Sequence, residues 1–129
     1  MRWLRIFSSP DGESHFADVD LAMAPAHVLP NVDPWDLSEP VDATSVVFLR
    51  RSEKAGVNDW HNPPQRQLVI RLSGDATIET SDGARREVGP GTVLLAEDVS
   101  GKGHRTVQAR GESFAAIVRL GGPSPTRDP

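Results

Sequence analysis

The stretch Trp60-His-Asn-Pro-Pro-Gln-Arg-Gln-Leu-Val-Ile-Arg-Leu-Ser-Gly74 decides the fold of this chain. Its second half is rich in residues that favour strands and ends at a Ser-Gly pair, which predicts a strand over residues 65–72 followed by a turn. Because side chains alternate between the two faces of a strand, one face carries Gln65, Gln67, Val69 and Arg71. The other face carries Leu68, Ile70 and Leu72, and we expect it to pack against apolar partners.

Similar strand patterns recur along the chain between turn residues. Eleven prolines and eleven glycines among 129 residues leave little room for long helices. The predicted strands cover residues 2–7, 14–21, 44–50, 65–72, 75–80, 85–88, 92–96, 104–109 and 113–120. The first is predicted to be an edge strand that pairs with the second, and Asp82-Gly83 predicts a hairpin of type I′ or a related type. The pattern indicates an all-β sandwich or barrel.

The composition divides the chain into three parts. Residues 1–43 hold the N-terminal strands and a proline-rich loop, whose four prolines exclude a helix and a central strand. Because the loop carries many apolar residues, we expect it to be ordered and to pack on the barrel; a disordered tether is the alternative. Residues 44–120 form the barrel core, and residues 121–129 form a flexible tail.

The overall composition excludes several classes of protein. A length of 129 residues fits one domain, and the absence of cysteine excludes disulfides, thiolate zinc sites and cysteine nucleophiles. A formal net charge of −4 argues against nucleic-acid binding, which needs clustered lysine and arginine. No apolar run approaches the roughly 20 residues of a membrane span. We therefore expect a cytoplasmic protein that binds neither nucleic acid nor membranes.

His61 and His104 are the candidate catalytic residues, because each lies at a predicted loop–strand junction. Imidazole is both the usual acid–base group near neutral pH and a common metal ligand. The alternative is that both are surface histidines without a role. Trp60, Gln65, Gln67 and Arg71 are the candidate ligand-binding residues. A polar strand face of this kind either meets solvent or lines a pocket.

The remaining polar and aromatic residues are predicted to be structural. The adjacent carboxylates Glu97 and Asp98 either take part in acid–base chemistry or bind the arginine-rich hairpin at residues 85–86, and we favour a structural role. Among the other histidines, His15 is predicted to be structural and His27 to be exposed. Trp3 and Trp35 are predicted to be packing residues.

Taken together, residues 44–120 resemble the small single-domain cupins. The first cupin motif runs His-x-His, three or four residues, Glu, six residues, Gly. Counted back from Gly74, the glutamate position holds Gln67 and the histidine positions hold His61 and Pro63. The second motif ends in Gly-x-x-His, which Gly101 to His104 match.

The resemblance implies an all-β cupin jelly roll with a small-molecule pocket, and a homodimer formed through sheet faces or exchanged N-terminal strands. It also implies a divalent transition metal, Zn²⁺, Ni²⁺, Fe²⁺ or Mn²⁺, with ligands at His61, Gln67 and His104. The chain departs from the usual three histidines and one glutamate, because Gln67 and Pro63 replace two of the four. Two imidazoles and a neutral amide give a lower expected affinity for a divalent ion.

Two hypotheses about activity follow. In the first, a metal at this degenerate site assists an isomerase, cyclase or lyase reaction, with oxygen chemistry as a weaker branch. In the second, the pocket has no metal, and His61 or His104 acts as a general acid–base. A domain that binds a small ligand without turnover is the version of the second hypothesis that is not an enzyme.

Overall fold

The chain folds entirely into strands, turns and loops. The computed structural model describes residues 1–53 and 59–121, and these contain nine strands and no helix. The strands are β1 (Arg2–Ser8), β2 (Ser14–Asp20), β3 (Ala24–Ala26), β4 (Trp35–Leu37), β5 (Ala43–Arg51), β6 (Gln67–Thr80), β7 (Arg85–Val88), β8 (Val93–Ala96) and β9 (His104–Leu120). No helix in this part of the chain is long and apolar enough to cross a membrane. The all-β prediction is therefore confirmed.

Seven strands form one mixed sheet, and β3 and β4 form a small separate one. The order in the large sheet is β2-β1-β8-β6-β9-β5, with β7 paired to β6. All neighbours are antiparallel except β1 and β8, which run parallel with Leu4 opposite Leu94. The first half of β6 pairs with β8 and with the end of β9, whereas its second half pairs with β7 and with the start of β9.

Two apolar clusters hold this arrangement together. The first joins β1 and β8 to the second half of β6 and to β7, through Leu4, Ile6, Leu94, Ala76, Ile78 and Val88. The second lies on the other side of β1 and β8 and contains Trp3, Leu68, Val93, Leu95 and Leu120, with Val41 and Ile70 packed against it. Strands β1 and β8 are therefore covered on both faces.

Several predictions about the strands need correction. The first strand is not an edge, because β8 pairs with it on the side away from β2. Strands β2 and β5 stand at the two ends of the strand order, and β7 pairs with β6 alone among the described strands. The strands predicted at 65–72 and 75–80 are one strand, in which the positive φ of Gly74 permits a bulge without a break. The last two predicted strands likewise join across Gly111 into β9. Asp82 does not have positive φ, so the β6–β7 turn is not type I′.

The proline-rich segment is less packed than predicted. It contains β3 and β4, but Trp35 and Leu37 are exposed, which contradicts the packing role predicted for Trp35. Trp3 is buried, as predicted, and His27 is exposed, as predicted. Residues 54–58 of the predicted polar loop and residues 122–129 of the predicted tail lie outside the described residues.

Candidate active site

The structure brings His61 and His104 together. Their backbones form an isolated antiparallel bridge, in which each N–H donates to the other carbonyl at 3.0 Å. Their ring centroids are 4.6 Å apart, with the ring planes inclined at 59°. His61 is exposed, whereas His104 is buried on the first position of β9. The bridge therefore places one solvent-facing imidazole directly against a buried one.

Glycine at position 103 is what permits this bridge. Gly103 has a φ of +74°, and a Cβ at that position would lie 2.0 Å from the carbonyl oxygen of His61. Gly101 permits a second close approach of the backbone, since a Cβ at this position would lie 2.4 Å from the carbonyl oxygen of Gly12. The two glycines of Gly101-Lys-Gly-His104 are thus required by close approach of the backbone.

Asp98 anchors the imidazole of His104. Its Oδ2 atom lies 2.6 Å from Nδ1 of His104, and the carboxylate is completely buried. We assign the Nδ1 proton from this contact, since an ionised carboxylate only accepts hydrogen bonds. The side-chain amide of Asn62 donates to the carbonyl of Asp98 at 2.9 Å and so holds the loop in place. Asp98 therefore positions the ring of His104, which is a structural role, although its partner is this histidine and not the hairpin at residues 85–86.

The side chain of Glu97 binds two arginines that are not the predicted ones at residues 85–86. Its two carboxylate oxygens accept from Arg5 at 2.6 Å and from Arg66 at 2.7 Å. The Arg5 and Glu97 side chains are almost completely buried. Glu97 therefore fixes the loop to β1 and to the chain just before β6, and the predicted contact with the hairpin at residues 85–86 is replaced by this one.

Trp60 and Arg105 form a platform beside the histidines. The guanidinium carbon of Arg105 lies 4.6 Å from the centroid of the Trp60 ring. Arg105 also donates to Glu79, which accepts a second bond from Arg85. The hydrogen bonds from Arg85 and then Arg105 hold the pKa of Glu79 below its ordinary value. Since Trp60 remains 38% exposed, the platform has a face available to a ligand.

The predicted polar strand face is only partly formed. Gln65 is exposed and lies before β6, which begins at Gln67. Gln67 pairs with Ala96 and Arg119, whereas His104 pairs with Thr80 at the other end of β6, so the ladder does not place Gln67 opposite His104.

Arg71 lies away from the two histidines. Burial lowers its pKa below the ordinary value, and the charge of Asp75 opposes that shift. The cavity that Arg71 bounds with Val69, Thr92 and Leu94 has a volume of only about 10 Å³, which is less than a small ligand needs.

The donor set for a metal is incomplete among the described residues. Within residues 1–53 and 59–121, no three histidine, aspartate or glutamate side chains lie close enough together to hold an ion. Nδ1 of His61 lies 2.9 Å from the carbonyl of Asp59, and Nδ1 of His104 is bound to Asp98. The two Nε2 atoms are the remaining imidazole donors. Two protein ligands fall short of the three in a catalytic zinc site.

Sequence reasoning did not predict the partners of two residues of this site, Asp98 and Arg105. Asp98 was considered only beside Glu97, although a carboxylate six residues before a histidine in a glycine-rich loop is within reach of its ring. Arg105 follows His104 directly, and its stacking on Trp60 depends on the bridge between the two segments. The partner of each residue is set by the folded loop.

Comparison with known proteins leaves the function open. No protein-family model matches the chain, and no curated protein matches it. Among solved structures, the chain is similar to the protein NMB1881 from Neisseria meningitidis, with 14% sequence identity and a TM-score of 0.46. The match covers 59% of this chain and 72% of that chain. The function therefore has to be argued from the site itself.

Proposed function

We propose that this chain is a small cupin-type jelly roll whose His61–His104 site performs acid–base chemistry on a small molecule. The observation that carries the proposal is the buried contact of 2.6 Å between Asp98 and Nδ1 of His104. It fixes the ring and keeps the proton on Nδ1, so that Nε2 is the atom that accepts a proton from a ligand. A neutral acceptor such as a backbone carbonyl would satisfy the buried Nδ1–H at a lower desolvation cost than a buried carboxylate does.

The neighbouring residues suit a reaction that moves a proton. His61 lies 4.6 Å from His104 between ring centroids and is exposed, so it is placed to return a proton that His104 removes. Trp60 with Arg105 offers an apolar face and a positive charge for an aromatic or anionic group. Isomerases, cyclases and lyases that act next to a carbonyl group need this combination of a base, an acid and a positioning surface.

The first test measures proton exchange, because it needs no knowledge of the product. Small keto acids, hydroxy acids and sugars are incubated with the protein in D₂O, and loss of the proton next to the carbonyl is followed by NMR. We expect exchange to fall about a hundredfold in His104→Gln, as for the loss of a general base. His27→Gln is the matched control, since His27 is exposed in the proline-rich segment. Exchange that survives His104→Gln unchanged would contradict the proposal.

A metal-assisted version is the second candidate. In metal sites, a carboxylate that binds one ring nitrogen of a histidine often orients the other nitrogen toward the metal. Asp98 binds Nδ1 of His104 in this way. His61 and His104 would supply two nitrogen ligands to Zn²⁺, Ni²⁺, Fe²⁺ or Mn²⁺. Elemental analysis of untagged protein, purified without chelator, distinguishes the two versions. About one equivalent of metal that is lost in His61→Ala and in His104→Ala supports this version.

We further propose that the chain forms a homodimer through the β5 edge of the sheet. Phe48 on this edge strand is 78% exposed, and Val46, Leu72 and Phe114 nearby are also exposed. An unpaired edge with exposed apolar side chains is a surface that proteins usually cover. The predicted apolar face of Leu68, Ile70 and Leu72 is covered within the chain only in part, because Leu68 and Ile70 pack in the second apolar cluster whereas Leu72 is exposed.

A further inference from the structure

A serine, a histidine and an aspartate are connected by consecutive side-chain contacts beside the β1–β2 turn, which is hydrogen-bonded to the 97–103 loop. Ser9 Oγ lies 2.7 Å from Nε2 of His15, and Nδ1 of His15 lies 3.1 Å from Oδ2 of Asp82. Ser9 belongs to the β1–β2 turn, His15 to β2 and Asp82 to the β6–β7 turn. This is the order of atoms in which a histidine takes a proton from a serine while a carboxylate holds its other nitrogen.

Each member of this group is held by its surroundings. Asp82 accepts from the hydroxyl of Thr80 at 2.6 Å and from the N–H of Ala84 at 3.0 Å, both on Oδ1, which leaves Oδ2 facing His15. Burial acts to raise the pKa of Asp82, but these bonds and His15 outweigh it, so the pKa lies below its ordinary value. The ring of His15 packs against Phe7 with centroids 5.4 Å apart.

A hollow large enough for a small molecule lies beside Ser9. It has a volume of about 650 Å³ and is lined by Phe7, Pro10 and Gly12 of the hairpin and by Ser100 and Gly101 of the loop. Ser9 itself lines the hollow and is partly exposed. The cavity and the aligned side chains are independent observations that point to the same place.

The hydroxyl of Ser9 has other acceptors besides His15. Its Oγ lies 2.5 Å from Oδ1 of Asp11 and 3.2 Å from the carbonyl of Glu13. The bond from Ser9, and then the N–H of Glu13, lower the pKa of Asp11, so Asp11 is an ionised competitor for the single hydroxyl proton. A bond to a charged acceptor is stronger than one to a neutral ring. Asp11 therefore restrains Ser9 at rest.

We propose that Ser9, His15 and Asp82 form a nucleophilic site that hydrolyses small activated esters bound in this hollow. Ser9 Oγ bonds to the carbonyl carbon and its proton passes to Nε2 of His15. The ester C–O bond breaks, and the alcohol leaves with that proton. Water then attacks the acyl group on Ser9, again through His15, so that the acid is released and the serine hydroxyl is restored. The site is separate from the one formed by His61 and His104.

The test uses p-nitrophenyl acetate for turnover and a fluorophosphonate probe for covalent labelling, with the adduct located by peptide mass spectrometry. We expect the adduct on Ser9 and its loss in Ser9→Ala. His15→Gln should slow both reactions about a hundredfold, as for loss of a general base. Asp11→Asn keeps the turn but weakens the competing bond, so labelling should become faster. Ser38→Ala, at a serine whose hydroxyl donates to the carbonyl of the neighbouring Glu39, should change nothing.

The outcomes distinguish a wrong proposal from a variant that does not fold. A peptide map without an adduct on Ser9 overturns the proposal, and so does labelling of His15→Gln at the wild-type rate. If His15→Gln no longer melts cooperatively, Asp11→Asn decides, because unchanged or slower labelling in that variant also overturns it. An effect of His104→Gln on turnover without an adduct on Ser9 would assign the hydrolysis to the other site.

Discussion

Replacing Asp98 by asparagine tests the contact on which the acid–base proposal depends. Asp98 is completely buried, and its Oδ2 accepts from Nδ1 of His104 at 2.6 Å. Its Oδ1 has no hydrogen-bond partner among the described residues. Asparagine keeps the shape but removes the charge. It also buries an amide nitrogen that has to point either at the Nδ1 proton or into the place where Oδ1 lacks a partner.

Two opposing contributions set the size of the effect. A hydrogen bond to a charged group contributes about 1.5–3 kcal/mol, and a buried polar group without a partner costs about 1–3 kcal/mol. Removing a buried charge acts in the opposite direction, because the desolvation of Asp98 is relieved. We therefore expect Asp98→Asn to lower the free energy of unfolding by about 1–3 kcal/mol. In a double-mutant cycle with His104→Gln, the coupling energy should be about 1.5–3 kcal/mol.

The assay is urea unfolding of the wild type, the two single variants and the double variant, followed by two-bond ¹H–¹⁵N NMR of the histidine rings. In the wild type, neutral His104 should carry its proton on Nδ1, and Asp98→Asn should shift it toward Nε2. Asp36→Asn, at an exposed position of β4, is the control and should stay within about 0.5 kcal/mol of the wild type. A coupling energy below about 0.5 kcal/mol, or an Nε2 proton in the wild type, would refute the reasoning.

Three further predictions concern parts of the fold that support the sites. The lowered pKa of Glu79 means that its stabilising contribution is present above its ordinary pKa of 4.5 and is lost as pH falls through the folded value. In Glu79→Gln, the loss of stability below that pH should be smaller when unfolding is measured against pH. Phe48→Asp should convert the proposed dimer to monomers that still unfold cooperatively, as measured by analytical ultracentrifugation and thermal melting; an unchanged sedimentation coefficient would contradict the proposed interface. Gly103→Ala should destabilise the fold by about 2–5 kcal/mol, from left-handed strain plus overlap with His61, whereas Gly83→Ala, with equal strain and open space, should lose only about 1–2 kcal/mol.

Local patterns predicted where the strands of the large sheet lie, but they predicted neither β3 and β4 nor how the strands connect. The strand at Arg85–Val88 has the predicted limits, because an Asp-Gly turn and a Gly-Pro-Gly turn enclose it. The edge position predicted for β1 was wrong for a physical reason. Its pairing with β8 joins residues about 90 positions apart, which a local pattern does not reveal. In the structure, the consequence of this pairing is that four successive residues of β1 are buried: Trp3, Leu4, Arg5 and Ile6. A continuous buried run, rather than strict alternation, is what a strand covered on both faces shows.

Side-chain partnerships were less predictable than strands. His61 and His104 stood out because each adjoins a turn, and the structure does bring them together. Gln67 was placed by counting along a family motif, yet the register of β6 sets it opposite Ala96. The contact between His15 of β2 and Asp82 of the β6–β7 turn joins residues that are 67 positions apart, so no spacing rule detects it. Contacts of this kind are decided by how turns meet after the sheet has formed.

One buried hydroxyl links the two candidate sites. Ser14 is completely buried, and its Oγ donates to the carbonyl of Gly103 at 2.6 Å and accepts from the N–H of Ser81 at 2.8 Å. Gly103 directly precedes His104, Ser81 precedes Asp82, and Ser14 itself precedes His15. Ser14 therefore bonds to Ser81 and Gly103, and each of these three residues directly precedes a residue of one of the two candidate sites. Because an unsatisfied buried polar group costs about 1–3 kcal/mol, breaking either of these hydrogen bonds is unfavourable. The hydrogen bonds of Ser14 thus connect the two proposed sites through a single buried residue.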